Sequence, residues 1–294
     1  MKILNYGSLN IDMVFSVPHF VQGGETLAST SMMKSAGGKG ANQSAALGKA
    51  GCPVYHAGKV GQDGRFLVDL LSSYGVDTRF IRITDRPSGQ AIIQLDEHSQ
   101  NAIILLPGEN MRIGRDEIDE TLAFFGPGDL LVLQNEINEI SYLIERAYER
   151  HLSICLNPAP FDASVFALPL DMVDMLIVNE IEGAALAKAP CDTSFEKLLS
   201  ILSTVFPATE IILTAGKGGA YYAFEKDVYY QAIIDKPVVD TTAAGDTFIG
   251  YFLASRLRGL SVPQCLLKAT LASSYTISRV GAMESIPCQD EVFG

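Results

Sequence analysis

Asp240-Thr241-Thr242-Ala243-Ala244-Gly245-Asp246-Thr247-Phe248 joins a turn of small residues to an amphipathic helix and sets a carboxylate at the joint. Val238 and Val239 read as the end of a strand, while Phe248, Phe252, Leu253 and Leu257 recur at helical spacing beyond Gly245. The turn is therefore a helix N-terminus. Unpaired backbone N–H groups point out of such an end, the helix dipole favours negative charge there, and a glycine lets an anion approach the backbone. Asp246 has an ordinary role open to it as an N-cap. An N-cap does not require Ala-Ala-Gly before it, or a second carboxylate, Asp240, six residues earlier. A phosphoryl-transfer site requires both backbone donors for charge and a base for the acceptor hydroxyl.

Upstream of this joint, strand-like runs alternate with helical patterns. Lys2 to Gly7, Val54 to Val60, Leu130 to Gln134, Ser153 to Leu156, Met175 to Val178 and Glu210 to Thr214 read as strands. Phe66 to Tyr74, Ile140 to Arg150, Ile181 to Lys188 and Phe195 to Phe206 carry apolar faces at helical spacing. Such alternation implies an α/β fold with a mostly parallel sheet covered by helices, and ligands then collect beyond the carboxyl ends of the strands. Two regions break the pattern: Ile11 to Met33, and Ser88 to Leu106 with its polar turn at Asp96 to Asn101. They read as extra antiparallel strands. No repeat or linker divides the chain, so residues 1–294 form a single unit in this reading.

The 294 residues are 48% apolar, enough for a substantial core. Lys and Arg number 22 against 34 Asp and Glu, and the net charge of -12 argues against nucleic acid as a partner. An anionic ligand must then be drawn in by local donors and metal ions. Cys52, Cys155, Cys191, Cys265 and Cys288 show no paired spacing, which fits a reducing cytoplasm. Asn10 and Asp12 interrupt any secretory apolar stretch, and no segment approaches a membrane span. His19, His56, His98 and His151 lack metal-ligand spacing and read as surface or core residues.

A second glycine-rich stretch, Ser35-Ala36-Gly37-Gly38-Lys39-Gly40-Ala41-Asn42-Gln43-Ser44, also opens a helix. It is no Walker A loop, because Gly40 follows Lys39 where a magnesium-binding Ser or Thr is needed, and it lacks dinucleotide-fold spacing. The two stretches resemble, in order, the N-terminal and C-terminal signatures of the ribokinase-like carbohydrate kinases, the PfkB family. The resemblance spans nearly the whole chain, from Gly7-Ser8-Leu9-Asn10-Ile11-Asp12 to Gly281-Ala282-Met283-Glu284-Ser285-Ile286-Pro287. It implies a three-layer sandwich around a mostly parallel sheet. It also implies that segments 11–33 and 88–106 form a small β-sheet lid that covers the sugar and clasps a second subunit as a homodimer.

The same resemblance assigns roles. Asn10, Asp12, Gly38, Lys39, Asn42 and Glu136 would bind sugar hydroxyls, for which amides, carboxylates and an ammonium are suited donors and acceptors. Asn179 and Glu182 match an N-x-x-E element that organises magnesium near the ATP phosphates; read from the residues alone, the pair is equally an N-cap with an acidic first turn. Thr214, Gly216 and Gly219 would approach the nucleotide, with Lys217 adding charge and Thr270 facing the adenine. Asp246 would take the proton of the attacking hydroxyl, and the Ala243-Ala244-Gly245-Asp246 turn would hold the growing negative charge through the amides of Ala244, Gly245 and Asp246. Asp240, with Thr242, Gly281 and Ser285, would bind a monovalent cation, potassium, although Asp240 can also simply close an Asx-turn.

Several stretches, including Asn157-Pro158-Ala159-Pro160, look more like ribokinases than nucleoside kinases, which points to ribose. Glu109 and Thr270 depart from that pattern: Glu109 could narrow the sugar site or add charge, and Thr270 replaces a histidine. Fructose, another hexose, a keto-deoxy sugar acid or a nucleoside stay open as substrates, as does a binding regulator without turnover, against which the intact Asp246 argues. A phosphorylated-sugar kinase should carry a basic cluster in the lid. Arg79, Arg82 and Arg86 fall before the lid strands and read as a solvated face.

Overall fold

A computed structural model describes residues 1–98 and 100–294. In its first half, β1 (Ile3–Tyr6), β2 (Asn10–Ser16), β3 (Ser31–Gly37), α1 (Lys39–Lys49), β4 (Val54–Gly61), α2 (Arg65–Ser73), β5 (Asp77–Thr84), β6 (Gly89–Leu95), β7 (Asn101–Leu106), α3 (Arg115–Leu122), β8 (Leu130–Gln134) and α4 (Ile140–Glu149) follow in order. The second half adds β9 (Ser153–Asn157), β10 (Met175–Asn179), α5 (Glu180–Leu186), α6 (Phe195–Val205), β11 (Glu210–Thr214), β12 (Ala220–Phe224), β13 (Asp227–Gln231), α7 (Ala244–Leu257), α8 (Val262–Ile277) and α9 (Gln289–Phe293).

The main sheet runs β13-β12-β11-β10-β9-β8-β1-β4-β5. From β5 to β11 every neighbouring pair is parallel, and β12 and β13 close that edge as antiparallel strands. Central strands are covered on both faces, which is why Leu130 to Gln134 is buried at every position. Alternate side chains feed two cores. Ile3, Val132, Ile177 and Ile212 face the layer of α1, α2, α7 and α8, while Leu4, Leu131, Leu176 and Ile211 face α3 to α6. The apolar stripe of α4 shows how such a helix docks: Ile140, Leu143, Ile144 and Ala147 are its buried positions.

The second sheet, β3-β2-β6-β7, is the expected lid. Its β2–β3 and β6–β7 pairs are antiparallel, but β2 and β6 run parallel, pairing Asn10 with Gly89 and Ser16 with Leu95. The strands cover less of the first segment than expected: residues 17–30 carry no helix or strand, and β3 reaches Gly37. Of the turn at Asp96 to Asn101, Ser99 lies outside the described residues. Met32, Met33 and Ile103 to Leu106 are exposed on the lid.

Two further expectations change. Val238 and Val239 end no strand; they lie exposed in the irregular segment after β13, where no neighbouring strand pairs with them. The helix after Gly245 is not amphipathic, since every residue from Asp246 to Ser255 is buried. It is sandwiched by α1 and α8, so it needs no solvent face. Among the described residues no helix is long and apolar enough to cross a membrane, and all five cysteines are unpaired.

Candidate active site

The site forms where two helices cross. α1 is buried from Gly40 to Leu47, largely through small residues, and a Cβ placed on Gly250 of α7 would lie 2.4 Å from the Ala46 Cβ. Only a glycine permits that approach. One turn back on each helix, the same crossing sets Asn42 and Gln43 against Asp246. Asn42 Nδ2 donates to Asp246 Oδ2 at 3.0 Å, and Gln43 Nε2 donates to Oδ1 at 3.0 Å. Asp246 is only 7% exposed, so its charge is held by these amides and by Lys39. The Asp246 carboxylate in turn holds the Lys39 ammonium above its ordinary pKa, against burial, with help from Glu136 and Glu182.

The turn before Asp246 is strained as well as open. Ala243, the N-cap of α7, has φ 59°, a left-handed conformation that costs a side-chain-bearing residue about 1 kcal/mol. Among the described residues no backbone acceptor meets the N–H of Gly245 or Asp246, whereas the Ala244 N–H already reaches the Thr241 carbonyl at 3.3 Å. Two amides rather than three therefore stand free. A Cβ at Gly245 would meet no heavy atom within 4 Å, so the space over this helix start is unfilled.

Asn10 and Asp12 sit at the start of β2, across from the first turn of α1. Asp12 lies against Gly37, where a Cβ would come within 2.0 Å of its Oδ2. Burial, then the nearby Glu136 carboxylate, push the Asp12 carboxyl up to about 7. Glu136 accepts from the Lys39 backbone N–H at 2.9 Å and from the Ser8 hydroxyl. Asn10 Oδ1 accepts from Asn110 Nδ2 at 2.7 Å. Asn10, Asp12, Gly38, Lys39, Asn42, Glu136 and Asp246 thus border one region at the carboxyl ends of β1 and β8. Glu109 departs from it. Its buried carboxylate lies 3.8 Å from Arg112 Nε and lines a surface depression with Arg86 and Pro107.

The nucleotide-side assignments are less uniform. Asn179 and Glu182 form a reciprocal capping box on α5: Asn179 Oδ1 accepts from Glu182 N at 2.8 Å, and Glu182 Oε2 accepts from Asn179 N at 2.9 Å. Glu182 is nonetheless buried beside the centre. Desolvation raises its pKa, Lys39 opposes that rise, and Asp246 adds to it. Gly216 is exposed and a Cβ there would meet nothing within 4 Å, but a Cβ on Gly219 would strike the Gln231 carbonyl at 2.3 Å, so chain packing and a φ of 87° explain Gly219 without a ligand. Thr214 donates to the Val178 carbonyl at 3.3 Å, and Lys217 is exposed. Thr270 is buried on α8 with its hydroxyl unpartnered.

Asp240 closes the Asx-turn: its Oδ1 accepts from Thr242 N at 2.9 Å and Thr242 Oγ1 at 2.6 Å. Its Oδ2 also accepts from Gly281 N at 3.0 Å, which brings together the loops of Thr242, Gly281 and Ser285. Burial raises the Asp240 carboxyl, and the bonds from Thr242 and Gly281 more than offset that, leaving it below its usual range. Ser285 is buried and donates to the Ala282 carbonyl at 2.7 Å. Gln43, Asn5, Gln134 and Asn157, which form a buried amide thread beneath Asp246, had no assigned role. Polar residues inside otherwise apolar strands are the signal that marks Asn5, Gln134 and Asn157, whereas Gln43, in α1, carries none.

The model of the pfkB family carbohydrate kinases matches residues 1–289. The chain is 32% identical to the ribokinase of Bacillus subtilis (strain 168), covering 97% of this chain and 96% of that protein. An Arabidopsis thaliana ribokinase complexed with ribose and ATP superposes with a TM-score of 0.90 at 28% identity, covering 99% of this chain and 97% of that one. The ribokinase of Cryptococcus neoformans var. grubii serotype A in complex with ADP gives 0.87 at 32% identity, covering 99% and 98%. With both sheets, the helical layers and the matched length in agreement, the chain belongs to the pfkB family of carbohydrate kinases and is a sugar phosphotransferase of ribokinase fold.

Proposed function

We propose that this enzyme transfers the γ-phosphoryl group of ATP to ribose, giving ribose 5-phosphate, with Asp246 as the base. The observation that carries the reading is the meeting of a buried, doubly amide-bonded Asp246 with two free backbone N–H groups at one helix start, beside Asn10, Asp12 and Lys39. Asp246 accepts the proton of the attacking hydroxyl on a lone pair left free by Asn42 and Gln43. The Gly245 and Asp246 amides, at the positive end of α7, hold the charge that grows on the phosphoryl oxygens. Asn10, Asp12, Lys39, Asn42 and Glu136 orient the sugar, and the lid of β2, β3, β6 and β7 excludes water.

Residues 1–294 act in this reading as one kinase domain. Thr214 and Gly216 flank the nucleotide, and Thr270 lies behind it. The buried Glu182 carboxylate suits a hard divalent cation; Mg2+ held there through water would neutralise phosphate charge. A potassium ion fits the Asp240, Thr242, Gly281 and Ser285 cluster through carboxylate, carbonyl and hydroxyl oxygens. The exposed Met32, Met33 and Ile103 to Leu106 support a homodimer through the lid, which light scattering would test; a monomer at every concentration would remove it. Five unpaired cysteines agree with a cytoplasmic site.

The 3.8 Å approach of Glu109 to Arg112 supports a reading in which Glu109 does not contact the sugar. The deciding experiment measures ADP release from ATP and Mg2+ with ribose, deoxyribose, fructose, other hexoses, keto-deoxy sugar acids and nucleosides, with Asp246→Asn alongside. Turnover on ribose, lost in Asp246→Asn with sugar and ATP binding retained, is the expected result. Preference for another sugar would reassign the pocket, and binding without turnover on any sugar would make the chain a regulator.

A further inference from the structure

We infer that Gln43 is a positioning residue for the base, fixed as a one-way donor by a thread of buried amides that starts at backbone carbonyls. The inference rests on the reading of Asp246 as base. Gln43, Gln134 and Asn5 are all fully buried, and Asn157 is 7% exposed. A backbone carbonyl can only accept, so Asn5, which bonds the Gly40 carbonyl at 2.8 Å, must present its Nδ2 there and to Ser44 Oγ at 2.9 Å. Its Oδ1 is then left to accept from Gln134 Nε2 at 2.9 Å. The second hydrogen of Gln134 Nε2 goes to Gln43 Oε1 at 2.7 Å. With its oxygen committed, Gln43 has only its Nε2 to turn toward Asp246 Oδ1.

The flank repeats the logic. Asn157 Nδ2 donates to the Ile177 carbonyl at 2.9 Å, so its Oδ1 faces Gln43 Nε2 at 3.4 Å and reinforces the same orientation. Ser44 Oγ, having accepted from Asn5, also shares a hydrogen bond with His56 Nδ1 at 2.7 Å. Burial holds the His56 imidazole down to about 3, so the thread ends on a neutral ring rather than a second charge. The Asp246 carboxylate favours the donor end of the Gln43 carboxamide, and the thread holds that same end in place. The thread thus fixes the rotamer from which Asp246 reaches the sugar hydroxyl.

The test is Gln43→Met, which keeps length and volume and removes the donor, with Gln134→Met removing only the group that orients Gln43. Gln43→Met should lower kcat about 10- to 150-fold, the effect of losing one hydrogen bond to a charged group, with the KM values for sugar and ATP within about twofold of the parent. Gln134→Met should lower kcat by a smaller factor, about 3-fold, again without a KM change. Parental kcat in Gln43→Met, or KM rising in step with falling kcat, would overturn the inference. If Gln43→Met does not fold by circular dichroism, parental kcat in Gln134→Met overturns it instead. Asp246→Asn separates the two readings: turnover retained there sinks the base itself, whereas turnover lost there and kept in Gln43→Met sinks only the thread.

Discussion

Gly245→Ala should raise stability and destroy activity. The added Cβ meets no heavy atom within 4 Å, and position 245 is exposed in the first turn of α7, so nothing in the folded chain resists it. Alanine is better than glycine in a helix by up to about 1 kcal/mol, in part because the unfolded chain loses freedom. For a chain of this size the melting temperature should rise by about 2 °C. The methyl group nevertheless occupies the space over the free Gly245 and Asp246 amides, where the phosphoryl oxygens must come. Loss of such donors costs kcat about 100-fold. Calorimetry and coupled ADP release on the same preparation read both effects. A higher melting temperature with undiminished turnover would show that the phosphoryl group does not approach this helix start, and a melting temperature lower by several degrees would show that Gly245 is needed for the fold.

Asp12 should make sugar binding tighten as pH rises through about 7, because its carboxyl, raised by burial and by Glu136, becomes a stronger, charged acceptor for hydroxyl hydrogens once it ionises. The folded carboxyl keeps its proton to about 7 while the unfolded one loses it near 3.8, so its contribution to stability is complete below 3.8 and fades as pH rises across that window. Asp12→Asn should flatten both trends, and sugar KM that climbs with pH in the parent would contradict the assignment. Glu182→Gln retains a side chain able to complete the capping box, so thermal stability should change little while the Mg2+ needed for half-maximal rate rises about 10-fold; an unchanged Mg2+ titration would reduce Glu182 to a cap. Potassium should raise the rate over choline chloride, and Asp240→Ala should abolish the difference; equal parental rates in potassium, sodium and choline would dismiss the cation site.

The parallel core was legible because its strands are continuous apolar runs, and Leu130 to Gln134 and Glu210 to Thr214 have the expected bounds. β5 was missed because Asp77-Thr78-Arg79-Phe80-Ile81-Arg82 is a half-exposed edge whose arginines pair with Asp77, Glu117 and Glu120. That is the solvated face expected of them. The β12–β13 hairpin carries no Asn-Gly or Asp-Gly signal: Glu225 itself takes φ 51° at the turn. Asp246 and its turn could be located from local pattern. The amides bonded to it could not, since Asn42 and Gln43 meet Asp246 only through a helix crossing between distant segments, and a lone Gln in a helix pattern reads as a solvent-facing residue.

The parallel β2–β6 pair has a kinetic consequence. It joins Asn10 to Gly89, so the lid cannot close on itself as a local hairpin and must wait until β1, α1, β4, α2 and β5 have brought its two halves together. Pairings between such distant segments form late in folding and are slow. A chain still emerging from the ribosome would therefore carry β2 and β3 as a ribbon whose inner edge, Asn10 to Ser16, lacks its partner until β6 arrives. That interval is when this protein is most exposed to aggregation and to chaperone capture.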